Sequence, residues 1–184
     1  MNRVFGHFKT ITTHKIVVMK HCFKIGLYKQ GLLHDMSKYG LTEFIEGCKY
    51  YQGTRSPHHA ERAEKGYSAA WLHHKGRNKH HFEYWIDYSL NDQGLEGTKM
   101  PPNYVAEMMM DRIAAAKVYN KGKYNDHQPL AYYEGGKHAY MIHPETRALL
   151  EYLLHMLDEQ GEAVMFAYIR KNLVGKKEYP SEIY

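Results

Sequence analysis

A chain of 184 residues, 43% hydrophobic and 24% charged, has the length for one domain and enough apolar content for a core, which excludes global disorder. Its net charge of +5 is scattered along the sequence, so a dedicated nucleic-acid binder is not expected, and no apolar run approaches the ~18 residues of a membrane span. Two isolated cysteines, Cys22 and Cys48, exclude a disulfide framework and a zinc ribbon, whereas 14 histidines and 17 tyrosines are well above ordinary usage.

The opening stretch from Met1 to Thr13 is polar and lacks the apolar segment of a signal peptide, so a cytoplasmic location is expected. Thr12 or Thr13 is placed to cap a helix running through HKIVVMKHCFKIGLYKQ, whose apolar residues fall near a helical repeat. Gly31 marks a bend, and LLHDMSKY reads as a short buried helix ended by Gly40. A further helix spans Thr42 to about Tyr51, while QGTRSPHHAERAEKG reads as an exposed loop or a poorly packed helix. A helix from Ala69 to His74 breaks near Gly76, and a second is expected from about Asn78 to Tyr88. After a loop, NDQGLEGTKMPP, Pro101 and Pro102 open a strong helix, NYVAEMMMDRIAAAKVY. A polar loop with Pro129 and Gly135-Gly136 leads to a helix beginning at Pro144, which Gly161 separates from EAVMFAYIRKNLV. No strand pattern is visible. The expectation is a single all-α domain over 1–184 with roughly six to eight helices. Its core would lie at about 12–120, with the C-terminal helices, about 144–174, packed on it or forming the face of a homodimer.

Three blocks carry candidate chemistry. His34 and Asp35 stand side by side after two leucines, and a carboxylate at the edge of an apolar helix needs a metal, a cation or hydrogen bonds. His14 and His21, seven apart on the preceding helix, share a face, and His14 is the better placed to join them. The block HHKGRNKHH holds His73, His74, His80 and His81, four imidazoles that a metal would reconcile with burial. Glu107 and Asp111 lie four apart on one helix face, where Asp111 meets either a metal or a salt bridge to Lys117 or Arg77. An imidazole-carboxylate set of this kind suits one or two divalent transition metal ions, among Mn, Fe, Zn, Ni and Co.

The order of these blocks resembles the H…HD…D pattern of the HD-domain superfamily of helical, metal-dependent phosphohydrolases, over roughly residues 12 to 120. LLHDMSK is similar to that superfamily's HD-x-G-K helix, with Ser37 at the glycine position, and MMMDRIAAAK resembles the segment bearing its last aspartate. HHKGRNKHH resembles the extra histidines of its two-metal members, although without the signature of the cyclic-dinucleotide enzymes. The whole chain is also similar to an uncharacterised group of small bacterial and phage proteins of unknown function.

The resemblance implies an HD-like helical bundle. His14, His34, Asp35 and Asp111 would bind a first metal, and His73 or His74 with His80 or His81 a second. It implies hydrolysis of a phosphate ester of a nucleotide or another small phosphorylated molecule. Asp35 would hold the metal and orient a water, Lys38 and Arg77 would neutralise the phosphate, and a histidine of the second block such as His80 would protonate the leaving oxygen. Tyr67, Trp71, Tyr84 and Trp85 would wall the pocket or pack in the core. The alternative expectations are an HD-fold di-iron oxygenase and a non-enzymatic, metal-stabilised binding domain.

Overall fold

The computed structural model describes residues 2–91, 94–120 and 122–183. The first helix, α1 (Arg3–Ile25), starts well before Thr12, because the Asn2 side chain accepts a hydrogen bond from the Val4 amide and caps it. Thr12 and Thr13 therefore lie inside a helix rather than at its start. It ends at Gly26, whose φ of 92° lets its amide return to the Cys22 and Phe23 carbonyls. The bend lies there and not at Gly31. Gly31 sits within α2 (Tyr28–Leu33), where a Cβ would come 2.8 Å from that of Cys22, so its missing side chain is what lets α2 lie on α1.

The expected continuous helix over LLHDMSKY is instead two elements. The chain leaves α2 at His34, turns through Asp35 at φ 55°, and continues as a 3-10 turn, Met36–Tyr39. Asp35 is the one non-glycine at positive φ among the described residues. Leu32 and Leu33 are more than half exposed, so the apolar pair before the motif faces outward rather than into the core. Next come α3 (Leu41–Lys49), α4 (Pro57–Lys65) and α5 (Ala69–Lys75), the last capped by the Ser68 hydroxyl accepting from the Trp71 amide. The segment expected as loop or weak helix thus holds α4, anchored by Glu61, which is buried and accepts from Ser68, Lys65 and the Ala69 amide.

The helix expected over 78–88 does not form. A 3-10 turn (Phe82–Trp85) leads into β1 (Ile86–Tyr88), paired antiparallel with β2 (Leu95–Gly97) in the register Ile86 to Gly97. The Trp85 carbonyl accepts from both the amide and the hydroxyl of Thr98, which draws the two segments together. Asp92 and Gln93 of the expected loop lie outside the described residues. The remaining helices are α6 (Pro102–Tyr119), α7 (Gln128–Glu134, within an expected loop) and α8 (Pro144–Asn172), which Gly161 interrupts at φ 82° and ψ 170°. The fold is all-α, with eight α-helices and one two-stranded ribbon among the described residues.

Burial explains the arrangement. α6 buries Val105, Ala106, Met108, Met109, Met110, Ile113 and Ala114, too many for one face, so it runs through the interior rather than along the surface. α1 covers it with Val18, Cys22 and Ile25, and α8 with Leu149, Leu150, Leu153, Leu154 and Leu157. Beyond Gly161, Met165, Phe166, Ile169 and Leu173 enter the same core. Tyr179 closes it by donating to the Met100 carbonyl. No helix among the described residues is long and apolar enough to cross a membrane.

Candidate metal centre

α1 carries His7, His14 and His21 at seven-residue intervals on its buried side. The middle one reaches the residues of the first and third blocks. His14 Nε2 lies 2.8 Å from Asp111 Oδ1 and 3.6 Å from Asp35 Oδ2, and His34 Nε2 lies 3.3 Å from Asp35 Oδ2 and 3.6 Å from Asp111 Oδ1. The second group forms on the other oxygen of the same aspartate. His74 Nε2 is 3.3 Å and His80 Nε2 3.5 Å from Asp35 Oδ1, and His81 Nε2 is 3.0 Å from His74 Nε2. Within each group the donor atoms lie within 4.8 Å of one another. Asp35 belongs to both groups, and its left-handed backbone turns the carboxylate between them.

The outward nitrogens are held by carboxylates. His34 Nδ1 donates to Glu107 Oε1 at 2.9 Å, His80 Nδ1 lies 3.2 Å from the same oxygen, and His74 Nδ1 donates to Glu43 Oε2 at 2.7 Å. A histidine whose Nδ1 proton is engaged in this way presents the lone pair of Nε2 to a metal that displaces any proton there. Glu107 is fixed in turn by the Gln30 amide, which donates to its other oxygen at 3.0 Å. On the inward side His14 Nε2, His34 Nε2, His80 Nε2 and Asp35 Oδ1 are buried without a well-formed hydrogen bond. Four such atoms in one pocket would be costly for a structural hydrogen-bond cluster, and they suit a cation.

Without a metal, the cluster is a network of opposite charges. Burial works against ionised Asp35 and Asp111, yet the neighbouring histidines, together with Lys38 for Asp35, hold both well below the usual carboxylate range. Burial also opposes a charged His34, but Asp35, Asp111 and Glu107 outweigh it and raise its pKa well above the ordinary value. His81 goes the other way: burial and the adjacent His80 and His74 keep it neutral. Lys38 donates to Asp35 Oδ2 at 2.5 Å, and the Asp35 and Asp111 charges keep it protonated despite its partial burial.

Other sequence candidates are placed elsewhere. His73 is bonded through Nδ1 to Glu43 at 2.6 Å and joins neither group. His21 is buried against Phe166, where its Nε2 accepts from Lys117. Arg77 is exposed and its side chain makes no hydrogen bond or ion pair among the described residues. Asp111 meets His14, whereas Lys117, its alternative partner, pairs with Glu162. Of the aromatics, Trp71 packs against the centre, its ring 4.8 Å from His81 and 5.6 Å from His74. Tyr67 is exposed, and Tyr84 and Trp85 pack on one another. Sequence reasoning missed Glu43. The available signal was a glutamate whose α3 helix follows directly on the His-Asp turn.

Fold and site together define a predominantly helical protein with a buried histidine-carboxylate cluster that could hold a metal ion. The chain belongs to the DUF5662 family, a family of unknown function, whose family model matches residues 3–156. No curated protein and no solved structure matches it.

Proposed function

We propose that the protein is an HD-like, metal-dependent phosphohydrolase acting on a nucleotide or another small phosphate ester. The observation that carries the reading is Asp35, whose two oxygens face two separate histidine groups, a disposition suited to a pair of divalent ions. His14, His34, Asp35 and Asp111 would hold one ion, and Asp35, His74, His80 and His81 the other. A bound divalent ion supplies Lewis acidity and lowers the pKa of a water, which is the chemistry phosphate-ester hydrolysis needs.

The chain's own residues do the rest. Glu107 and Glu43 fix the tautomers and ring planes of His34, His80 and His74. Lys38, charged and about a quarter exposed beside Asp35, is the cation placed to meet a phosphate oxygen at the rim. Arg77, on the surface, is not assigned that part. Trp71 covers His74 and His81 and keeps bulk water from that side.

The test is elemental analysis of protein purified without a histidine tag, beside Asp35→Asn and His34→Ala, followed by assays on phosphate mono- and diesters. One to two equivalents of manganese, zinc, nickel or cobalt, lost in both variants while helicity survives, together with ester hydrolysis, is the expected result. No metal after incubation with these ions would overturn the reading. Iron with oxygen consumption, or tightly bound metal without turnover, would replace it by an oxygenase or by a metal-stabilised binding domain.

A further inference from the structure

A cleft of about 690 Å³ opens between the N-terminal half of α1, the last turn of α6 and the loop at 51–54. That volume is in the range of small-molecule sites. No carboxylate lines it, but three cations do: Arg3, Lys9 and Lys117. Lys117 is neutralised by Glu162 at 2.5 Å. Arg3 uses one N–H on the Lys49 carbonyl, which leaves its other donors free, and Lys9 makes no ion pair among the described residues. The cleft therefore carries two uncompensated positive charges. Hydroxyls surround them: Thr13 is exposed to the cleft, and Thr10 and Tyr51 share a hydrogen bond of 3.0 Å across it.

None of the centre's residues lines the cleft, but the two share α1 and α6. Thr10, Thr13 and Val17 lie within one turn of His14 on α1. Tyr119 stands two turns beyond Asp111 on α6, and its phenol lies in the fields of Lys38 and Asp111 as well as of Tyr51. A ligand with one group at the centre and a second about one helical turn away would meet the cations of this cleft.

We propose that this cleft is a second anion-binding subsite, which holds the phosphate that is not being hydrolysed, so that the substrate is a small molecule bearing two phosphate groups. The claim that the first phosphate lies at the metal centre rests on the phosphohydrolase reading; the anion subsite rests on the cleft alone.

The experiment is calorimetric titration of inorganic pyrophosphate into the chelator-treated full chain at low salt. The same titration is made on Arg3→Gln/Lys9→Gln, on Thr13→Val and on Asp35→Asn. Binding that weakens about tenfold or more in Arg3→Gln/Lys9→Gln, weakens in Thr13→Val and is unchanged in Asp35→Asn is the expected result. Arg3, Lys9 and Thr13 are exposed, so their variants keep the fold, which circular dichroism checks. No binding to the chelated protein, or a loss in Asp35→Asn equal to that in the double variant, would overturn the subsite. Succinate binding as tightly as pyrophosphate would overturn its assignment to phosphate. Pyrophosphate binding by a protein that never retains metal would leave the subsite standing and remove the phosphohydrolase reading instead.

Discussion

Glu107 Oε1 lies 2.9 Å from His34 Nδ1 and 3.2 Å from His80 Nδ1, one histidine of each group, so a single carboxylate faces two rings at once. Its own pKa reflects this: burial would raise it, but the two histidines lower it to about 2. Glu107→Gln keeps the volume and removes the charge that draws both Nδ1 protons outward. Metal affinity should fall by about 10- to 100-fold with little change in helicity, as measured by competition with a chromophoric chelator. Unchanged affinity would mean that the rings are held by packing alone. At this scale the sequence was partly legible. His14, His34, Asp35 and Asp111 stand out as polar residues set within or beside apolar segments. The partnership of Glu43 with His74 joins residues 31 apart in sequence, and its one local sign is that Glu43 follows closely on the His-Asp turn.

The packing of α3 on α1 depends on one glycine. A Cβ at Gly47 would fall 2.2 Å from His7 Nε2, and the His7 ring is confined by Phe44 and Tyr51, with centroids 5.6 Å and 6.0 Å away. Gly47→Ala should therefore destabilise the fold by about 1–3 kcal/mol, despite the better helix propensity of alanine. His7→Ala in the same chain should recover part of that loss in urea unfolding; no recovery would place the strain elsewhere. The elements most legible in the sequence were long helices dense in apolar residues, as in α6 and α8. α4 was legible only as a loop or a poorly packed helix, because Glu61 anchors it through polar contacts, which leave no hydrophobic stripe. The strands were invisible for another reason: at three residues each they are too short for an alternation to register.

For the molecule as a whole, buried histidines outside the cluster set an acid limit. Burial, aided by the positive charges of Lys38 and Lys117 respectively, lowers His7 and His21 to about 4. The unfolded chain takes up these protons near pH 6.5, where the folded chain still refuses them. Stability should then be unaffected above about pH 7 and fall as the pH drops from 6.5 towards 4. The contribution of His7 at pH 5 is on the order of 2 kcal/mol. Urea midpoints of chelated protein at pH 7.5 and 5 should separate less in His7→Gln than in the unaltered chain. Equal separations would show that His7 is protonated without cost.

The seven-residue interval on α1 also makes that helix a ruler. At ~1.5 Å per residue, His7 and His21 stand about 10 Å from His14 along the axis, one on each side. Neither can slide into its place, because a rigid rod offers no slack between marks. The three imidazoles look interchangeable in the sequence, yet each is committed to its own level of the bundle. Deleting one residue between His7 and His14 would put the two halves of the rod out of phase by about 100°. His7 would swing away from Gly47, while everything from His14 onward kept its bearing.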